Sequence, residues 1–399
     1  MTSTTSDAAT VAKRLVEFIR DELYPGRAFV GLHEPTFGET EKAYVLDAID
    51  STFVSSIGEY VDRFEALVAE YTGATRAVAV VNGTAALHAS LHLVGVKRND
   101  LVVTQPLTFV ATANAISYCG ADPVFVDVDD DTLGMSPEAV DRFLLEHCRR
   151  DPQHGVIHTD TGRPITACVP MHTFGFPSRI SEVVEICSRW GIPVIEDAAE
   201  SLGSFVASTH TGRFGRLGVF SFNGNKTITT GGGGAIISDD DNLGRRAKHI
   251  TTTAKTPHKW DYVHDELGFN YRLPNLNAAL GCAQMETLDA KIAEKTRIAA
   301  RYREVLWSTS QNNGNYRTVD EREGTRANHW LNAIRCPDRM ARDTLLEILN
   351  DANIMARPAW ELMYRLPAFE RSIAERCPQA ENLSDTIVNV PSWPVAATA

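Results

Sequence analysis

The 399-residue sequence lacks paired cysteines, long apolar runs and an excess of positive charge. Its seven cysteines are scattered, odd in number and without a CxxC pair, which indicates free buried thiols rather than zinc or redox chemistry. The net charge of -12 argues against a general nucleic-acid or anionic-membrane surface, because either partner would be repelled over much of the exterior. We therefore expect no nucleic acid, membrane or metal partner, and any phosphate ligand must be held locally.

No secretion signal and no membrane span are visible near the beginning of the sequence. A polar stretch over residues 1–10 is followed by an amphipathic helical pattern around residues 11–23, which carries acidic residues. We therefore expect a cytoplasmic protein.

After residue 60, helical patterns alternate with short apolar strands, which is typical of a three-layer α/β/α domain with a mainly parallel sheet. Beyond Pro274 long helical patterns dominate, and they predict one extended helix over residues 275–303 and another over 338–350. We expect an N-terminal helical extension (1–30), a large α/β domain (31–285) and a smaller C-terminal α+β domain (286–399). The predicted strands are 77–81, 101–104, 123–128, 167–170, 193–196, 218–221 and 234–238, and the predicted helices of the large domain are 85–93, 109–118 and 180–189.

The most informative segment is 221–227, in which Lys226 lies among small residues and precedes four glycines, 231–234. A lysine that bonds covalently to a carbonyl must approach it closely and lose its proton near neutral pH, which favours a confined site. Phosphate oxygens are bound by backbone N–H groups of glycine-rich turns and by hydroxyls such as that of Ser221. The segment therefore favours a phosphorylated carbonyl cofactor on Lys226.

The same segment also resembles two other kinds of structure in part. A nucleotide-binding P-loop requires glycine immediately before the lysine, whereas this chain has Asn225 there. A glycine-rich hairpin with a solvated lysine fits the segment taken alone.

Three further positions follow strands and therefore face the edge of the sheet where ligands gather. Asp197 could keep a pyridine nitrogen protonated, although an aspartate there also suits a helix N-cap. Gly83 and Thr84 open a helix whose first N–H groups could bind phosphate, and a simple threonine cap explains them equally well. Phe109 could stack on a cofactor ring, with ordinary core packing as the alternative.

Taken in order, these motifs resemble the DegT/DnrJ/EryC1/StrS family of fold type I nucleotide-sugar aminotransferases over nearly the whole chain. The resemblance implies pyridoxal 5′-phosphate on Lys226, with Phe109 stacked on the pyridine ring and Asp197 paired with its nitrogen. It also implies that Gly83, Thr84 and Ser221 bind the phosphate. In this family the asparagine matching Asn270 comes from the neighbouring subunit, which implies an obligate homodimer. The matching motifs are Asn82-Gly83-Thr84, Thr108-Phe109, Glu196-Asp197-Ala198-Ala199, Ser221 five residues before Lys226, and Gly268-Phe269-Asn270-Tyr271-Arg272.

One position departs from the common family pattern. Many members have His or Gln three residues after the aspartate, near the ring hydroxyl of the cofactor, where this chain has Glu200. The string 196–204 resembles a subgroup that makes bacterial amino sugars, and segments 32–35 and 51–56 resemble the legionaminic-acid branch, which aminates UDP-linked 4-keto-6-deoxy sugars. The resemblance thus implies an aminotransferase that uses L-glutamate and such a sugar in surface-polysaccharide or amino-sugar biosynthesis, with pyridoxamine phosphate as the intermediate.

Three alternatives to this function stay open. The enzyme could aminate a 3-keto or another keto sugar. Sugar 3-dehydration occurs on the same scaffold, but its enzymes replace the lysine with histidine, and Lys226 argues against it. A non-catalytic sensory module is the third alternative, although no attached DNA-binding segment fits in the chain.

Weaker candidates for substrate contact are His33, His172, Arg357 and Trp360. His172 follows a strand end and could line the site, with core packing as the alternative. Arg357 and Trp360 suit a phosphate and a base, and surface roles are equally consistent with the sequence. A pair of histidines four residues apart, at 88 and 92, has no third ligand in the motif and fits an ordinary helix better than zinc.

Overall fold

The secondary structure follows the predicted alternation of helices and strands. The structure, a computed structural model, describes residues 2–310 and 315–395. Its helices are α1 (Thr2–Glu17), α2 (Glu39–Asp50), α3 (Glu59–Thr72), α4 (Gly83–Leu93), α5 (Val110–Tyr118), α6 (Pro137–His147), α7 (Ile180–Trp190), α8 (Asp241–Thr251), α9 (Asn275–Glu286), α10 (Leu288–Ser310), α11 (Arg339–Asp351) and α12 (Pro378–Thr386). Short 3₁₀ turns cover Thr173–Gly175 and Met363–Arg365, and α1 runs into a π-helical turn, Phe18–Leu23. Within these ranges no helix is both long and apolar enough to cross a bilayer.

The strands are mostly short. They are β1 (Arg76–Val80), β2 (Leu101–Thr104), β3 (Asp122–Phe125), β4 (Cys148–Asp151), β5 (Gly155–His158), β6 (Ile165–Val169), β7 (Ile195–Asp197), β8 (Phe205–Val206), β9 (Thr209–His210), β10 (Leu217–Ser221), β11 (Gly234–Ser238), β12 (Arg317–Thr318), β13 (Thr325–Arg326), β14 (Asn332–Arg335), β15 (Arg357–Pro358), β16 (Ile373–Ala374) and β17 (Ile387–Val390).

The central sheet consists of two four-stranded halves, β1-β11-β10-β7 and β6-β2-β3-β16, joined by isolated parallel bridges between β6 and β7. Strand β11 runs antiparallel to both of its neighbours, and the other pairs in this sheet are parallel. Helices cover both faces, so strands such as β2 are buried along their whole length. The predicted mainly parallel α/β architecture is therefore confirmed.

A second, antiparallel sheet, β12-β14-β17-β15, forms the smaller α+β unit together with α11. Helix α1 packs on α11, and both contribute to one buried cluster with α10. The chain then passes along the second sheet, where Val30 exchanges backbone hydrogen bonds with Asn353 and Met355. The domain boundaries expected near residues 30 and 285 remain predictions.

Two helix predictions were wrong in extent. The pattern over 275–303 is broken at Thr287, whose side chain and backbone N–H both donate to the Gln284 carbonyl, at 3.2 and 3.3 Å. These bonds end α9 before α10 begins at Leu288, because a threonine hydroxyl competes for backbone carbonyls at a helix end. The first helix begins at Thr2 rather than near residue 11, so the polar stretch is helical too.

The close approach of α9 to α3 depends on Gly281. A Cβ atom added there would lie 2.7 Å from Phe64 Cε2 and 2.8 Å from Thr230 Cγ2, and Phe64 is fully buried. We expect Gly281→Ala to lower the free energy of unfolding by about 1–3 kcal/mol, because the added methyl overpacks this contact. Urea denaturation measures the change. Gly224→Ala is the matched control, since its Cβ would meet no atom within 4 Å; equal stability of the two variants would contradict the prediction.

Candidate active site

A cavity of about 570 Å³ opens where β1, β7 and β10 end. The carboxyl ends of parallel strands meet at this edge, which explains why residues far apart in sequence share the cavity. Nine of the predicted site residues line it: Gly83, Thr84, Phe109, Asp197, Glu200, Ser221, Lys226, Arg357 and Trp360.

The first turn of α4 forms a potential anion-binding site. Asn82 caps the helix through its Oδ1 atom, which accepts the Ala85 N–H at 2.8 Å. The N–H groups of Gly83 and Thr84 have no helical acceptor at this position, and the positive end of the helix dipole lies there. A Cβ on Gly83 would come within 3.1 Å of Ser221 Cβ, so the glycine and the serine hydroxyl share one small space. This donor set fits the phosphate of pyridoxal phosphate.

Asp197 is buried at the base of the cavity, with 2% of its surface exposed. Its Oδ2 accepts the Thr112 hydroxyl at 2.7 Å, and its Oδ1 accepts the Ala199 N–H at 3.2 Å. Burial raises the pKa of this carboxyl, and the hydrogen bond from Thr112 acts in the opposite direction. A buried carboxylate oriented by two donors fits the protonated ring nitrogen of the same cofactor.

Lys226 forms an ion pair inside the cavity. Its Nζ lies 3.1 Å from Glu200 Oε1, and the two side chains are 13% and 1% exposed. The other carboxylate oxygen, Oε2, accepts the Phe174 N–H at 2.9 Å. Burial raises the pKa of Glu200 to about 7, although the charge of Lys226 and the Phe174 N–H both lower it. Glu200 can therefore gain or lose a proton near neutral pH, beside the amine.

The backbone that holds Glu200 is in an uncommon conformation. Phe174 has φ 55°, in the left-handed region that costs a residue with a large side chain about 1 kcal/mol or more. Its ring packs on Trp360 at 4.8 Å between centroids, which helps to hold the turn.

For His172 the sequence left the cavity wall and core packing as alternatives, and in the structure the residue lies in the core. It is fully buried, and its Nε2 lies 3.0 Å from Glu196 Oε2 while Nδ1 accepts the Ser178 N–H at 3.2 Å. The carboxylate of Glu196 also accepts three backbone N–H groups between Gly212 and Gly215. These bonds require the Nε2–H form of His172 and join the end of β7 to the loop before β10, so the histidine does not line the cavity.

Two other predicted residues also lie outside the cavity of this chain. His33 is buried with its Nε2 3.0 Å from Lys295 Nζ, so its ring is directed to α10. Asn270 is exposed and does not line the cavity.

The histidine pair on α4 serves packing. His88 Nδ1 is bonded to the Tyr271 hydroxyl at 3.0 Å, and both His88 and His92 contact the Phe269 ring.

Elsewhere among the described residues, two groups of side chains lie close enough together to share a cation, so the expected absence of a metal stays a prediction. The groups are His147, His158 and Asp160, and His249, Asp265 and Glu266.

Three residues of the site were not found from the sequence. Thr112 lies three residues after Phe109, and this helical spacing could have indicated that it lies near the site, where its hydroxyl donates to Asp197. Phe174 and Trp330 carry no such signal, because they reach the site through a strained turn and from the smaller unit.

The chain is similar to several known aminotransferases. The sequence model of the DegT/DnrJ/EryC1/StrS aminotransferase family matches residues 35–399. EpsN of Bacillus subtilis, provisionally described as a pyridoxal phosphate-dependent aminotransferase, is 37% identical over 86% of this chain and 84% of EpsN. GDP-perosamine synthase of Escherichia coli O157:H7 is 33% identical over 92% of this chain and 94% of that enzyme. The crystal structure of the aminotransferase TlmJ from Streptoalloteichus hindustanus has a TM-score of 0.82 and 26% identity, covering 92% and 94% of the two chains.

The raised pKa of Glu200 predicts a pH-dependent cost of folding. A carboxyl whose pKa rises from 4.5 to about 7 on folding binds its proton more tightly in the folded state, so it lowers stability as pH rises through this window. We expect Glu200→Gln to stabilise the cofactor-free protein relative to wild type by about 1–3 kcal/mol more at pH 8.5 than at pH 5. Urea denaturation at both pH values tests this, with Glu70→Gln on the exposed face of α3 as control. A pH-independent difference would show that Glu200 is not held in this way.

Proposed function

Because the chain belongs to the DegT/DnrJ/EryC1/StrS aminotransferase family, we propose that it transfers the amino group of L-glutamate to C4 of a nucleotide-linked 4-keto-6-deoxy sugar. The observation that supports this most directly is the single cavity that contains Lys226, Asp197 and the first turn of α4. Pyridoxal phosphate requires three contacts, which are a nucleophilic amine, a buried carboxylate and an anion-binding site. Membership in an aminotransferase family also favours an enzyme over a non-catalytic sensory module.

Each residue of the site has a separate role in binding the cofactor or moving a proton. The cofactor, when bound, supplies an electron sink for the carbon that loses or gains a proton. In our proposal Lys226 holds it covalently, Asp197 keeps the ring nitrogen protonated, and Gly83, Thr84 and Ser221 bind the phosphate. Phe109 covers one face of the ring. Once an amino donor has displaced Lys226, its free amine would carry a proton between the substrate carbon and the adjacent carbon of the cofactor.

Glu200 can exchange a proton with Lys226. Its Oε1 atom lies 3.1 Å from Nζ, and a carboxyl with a pKa of about 7 exchanges protons at the pH of the reaction. Many members of the family have His or Gln near the ring hydroxyl, whereas this chain has a carboxyl side chain there. We propose that Glu200 both contacts the ring and holds the proton that Lys226 must release.

Arg357 and Trp360 form the outer part of the cavity, where the nucleotide would bind. One guanidinium nitrogen of Arg357, Nη1, is committed to Asn350 Oδ1 at 3.0 Å and to the Ala356 carbonyl. Arg357 is exposed and its guanidinium suits a diphosphate, and the Trp360 ring suits a base. We propose UDP as the nucleotide from the resemblance to the legionaminic-acid branch; GDP is the alternative, which the GDP-perosamine synthases favour.

We further propose a homodimer with shared active sites. Several large apolar side chains between β11 and α9 are exposed in the single chain, among them Trp260 (70%), Tyr262 (79%) and Leu267 (74%). A second exposed set, Phe53 and Ile57, lies between α2 and α3. Such surfaces are typical of protein interfaces, and Asn270 follows the first set closely.

The transfer reaction is tested with glutamate and a panel of UDP-, GDP- and dTDP-linked 4-keto-6-deoxy sugars, together with a 3-keto sugar. We expect an amine at C4, loss of more than about 1,000-fold in rate for Lys226→Ala, and a borohydride-stable adduct on Lys226 found by peptide mapping. Lys97→Ala, exposed between α4 and β2, is the matched control and should retain the activity. Amination of the 3-keto sugar alone would overturn the substrate class, and an unlabelled Lys226 would overturn the function.

Shared active sites predict complementation between two inactive variants. Lys226→Ala and Asn270→Ala chains, mixed under conditions that exchange subunits, should form hybrid dimers with one complete site. We expect the mixture to recover up to about a quarter of the wild-type activity if subunits associate at random. Mixing Lys226→Ala with Asp197→Ala is the control, because both residues belong to the same chain's cavity in our proposal; an equal recovery, or no recovery in the first mixture, would contradict sharing.

A further inference from the structure

A segment of the smaller unit, 328–330, contacts the loop that carries Lys226. Trp330 is 5% exposed, and the centre of its ring lies 3.9 Å from Lys226 Nζ. Its indole Nε1–H donates to the Asn225 carbonyl at 2.7 Å. One side chain therefore contacts both the amine of the lysine and the peptide group that precedes it.

Both the backbone N–H and the backbone carbonyl of Trp330 are hydrogen-bonded to side chains. Its N–H donates to Asn328 Oδ1 at 2.9 Å, and its carbonyl accepts Lys295 Nζ at 3.0 Å. The amide nitrogen of Asn328 donates in turn to the carbonyls of Glu200 and Leu202. The tryptophan is thus tied to the same turn that supplies the partner of Lys226.

Lys295 has no exposed surface and lies on α10. Its three N–H donors are directed to the Trp330 carbonyl, the Ser392 carbonyl and His33 Nε2. Burial lowers the pKa of this lysine well below its usual range. A lysine buried without exposure costs folding free energy, and its bonds join the Trp330 carbonyl to the segments of Ser392 and His33, so they fix the backbone of Trp330 against α10.

We propose that Trp330, held by Lys295 and Asn328, is a positioning residue that keeps the Lys226 nitrogen between the indole face and the Glu200 carboxylate. Both neighbours attract a cation, one through the ring quadrupole and the other through charge. The bond to the Asn225 carbonyl limits the movement of the loop, and a displacement of about 1 Å at a reacting atom is enough to cost roughly 100-fold in rate. The inference rests on the proposed role of Lys226 and adds to it a contact from the smaller unit.

The test compares Trp330→Leu and Trp330→Phe with wild type. Leucine removes the ring and the N–H, whereas phenylalanine keeps a ring face and removes the N–H only. For Trp330→Leu we expect kcat to fall about 100-fold while KM for the keto sugar changes less than about 3-fold, with Trp330→Phe within about 10-fold of wild type. Trp307→Phe is the matched control, because Trp307 is 70% exposed on α10.

A spectroscopic measurement separates positioning from simple stabilisation. The visible absorption of the bound cofactor changes with pH as the nitrogen that joins it to Lys226 loses its proton. Removing the ring disfavours the cation, so the midpoint of this change should move to lower pH by about 0.5–1 unit in Trp330→Leu and by less in Trp330→Phe. Thermal unfolding is recorded for the same samples.

The outcomes are distinct. A wild-type midpoint and wild-type kcat in folded Trp330→Leu would overturn the inference, and so would a lower melting temperature with an unchanged midpoint. If Trp330→Leu does not fold, Trp330→Met replaces it, because methionine also removes the ring and the N–H but fills more of the space; a wild-type midpoint and kcat in folded Trp330→Met would overturn the inference. If borohydride labels Lys226 in every variant, the proposed function stands whatever Trp330 does; an unlabelled Lys226 in wild type would remove the function itself.

Discussion

The contact between Lys226 and Glu200 is the interaction on which the rest of the site depends. An amine and a carboxylate 3.1 Å apart in a nearly closed space are stable together only if the surrounding chain fixes both of them. The carboxylate is held by the N–H of Phe174, in a turn that has left-handed backbone geometry. The amine is carried by a loop at the end of β10. Strain in one segment and close packing in another thus maintain a pair that would otherwise be solvated.

The parallel sheet makes this arrangement possible. Neighbouring strands β7 and β10 place Asp197 and Ser221 at one edge, and β1 leads into the first turn of α4 at the same edge. Glu196, one residue before Asp197, is directed to the opposite face and bonds the loop before β10. Two adjacent acidic residues therefore have separate tasks, because successive side chains of a strand point to opposite faces.

Much of this could be predicted from the sequence, because strand ends, glycine turns and the isolated lysine follow local rules. The alternating pattern predicted the mainly parallel sheet, and the motifs around Asp197 and Lys226 led to residues that do share a cavity. The break at Thr287 was missed because apolar periodicity continues across it. The sequence left His172 open between the cavity wall and the core, because a position after a strand end does not reveal which face a side chain takes. Trp330 could not be found, since its approach depends on how two sheets pack.

The cavity wall also joins distant parts of the chain. Leu32 and Asn389 both line it, and the Ser392 N–H donates to the Leu32 carbonyl at 3.0 Å. During synthesis on the ribosome, the strand that contains Asn389 emerges more than 350 residues after Leu32. The wall therefore cannot close before residue 389 has left the ribosome, and until then a growing polypeptide lacks a complete wall around its lysine loop.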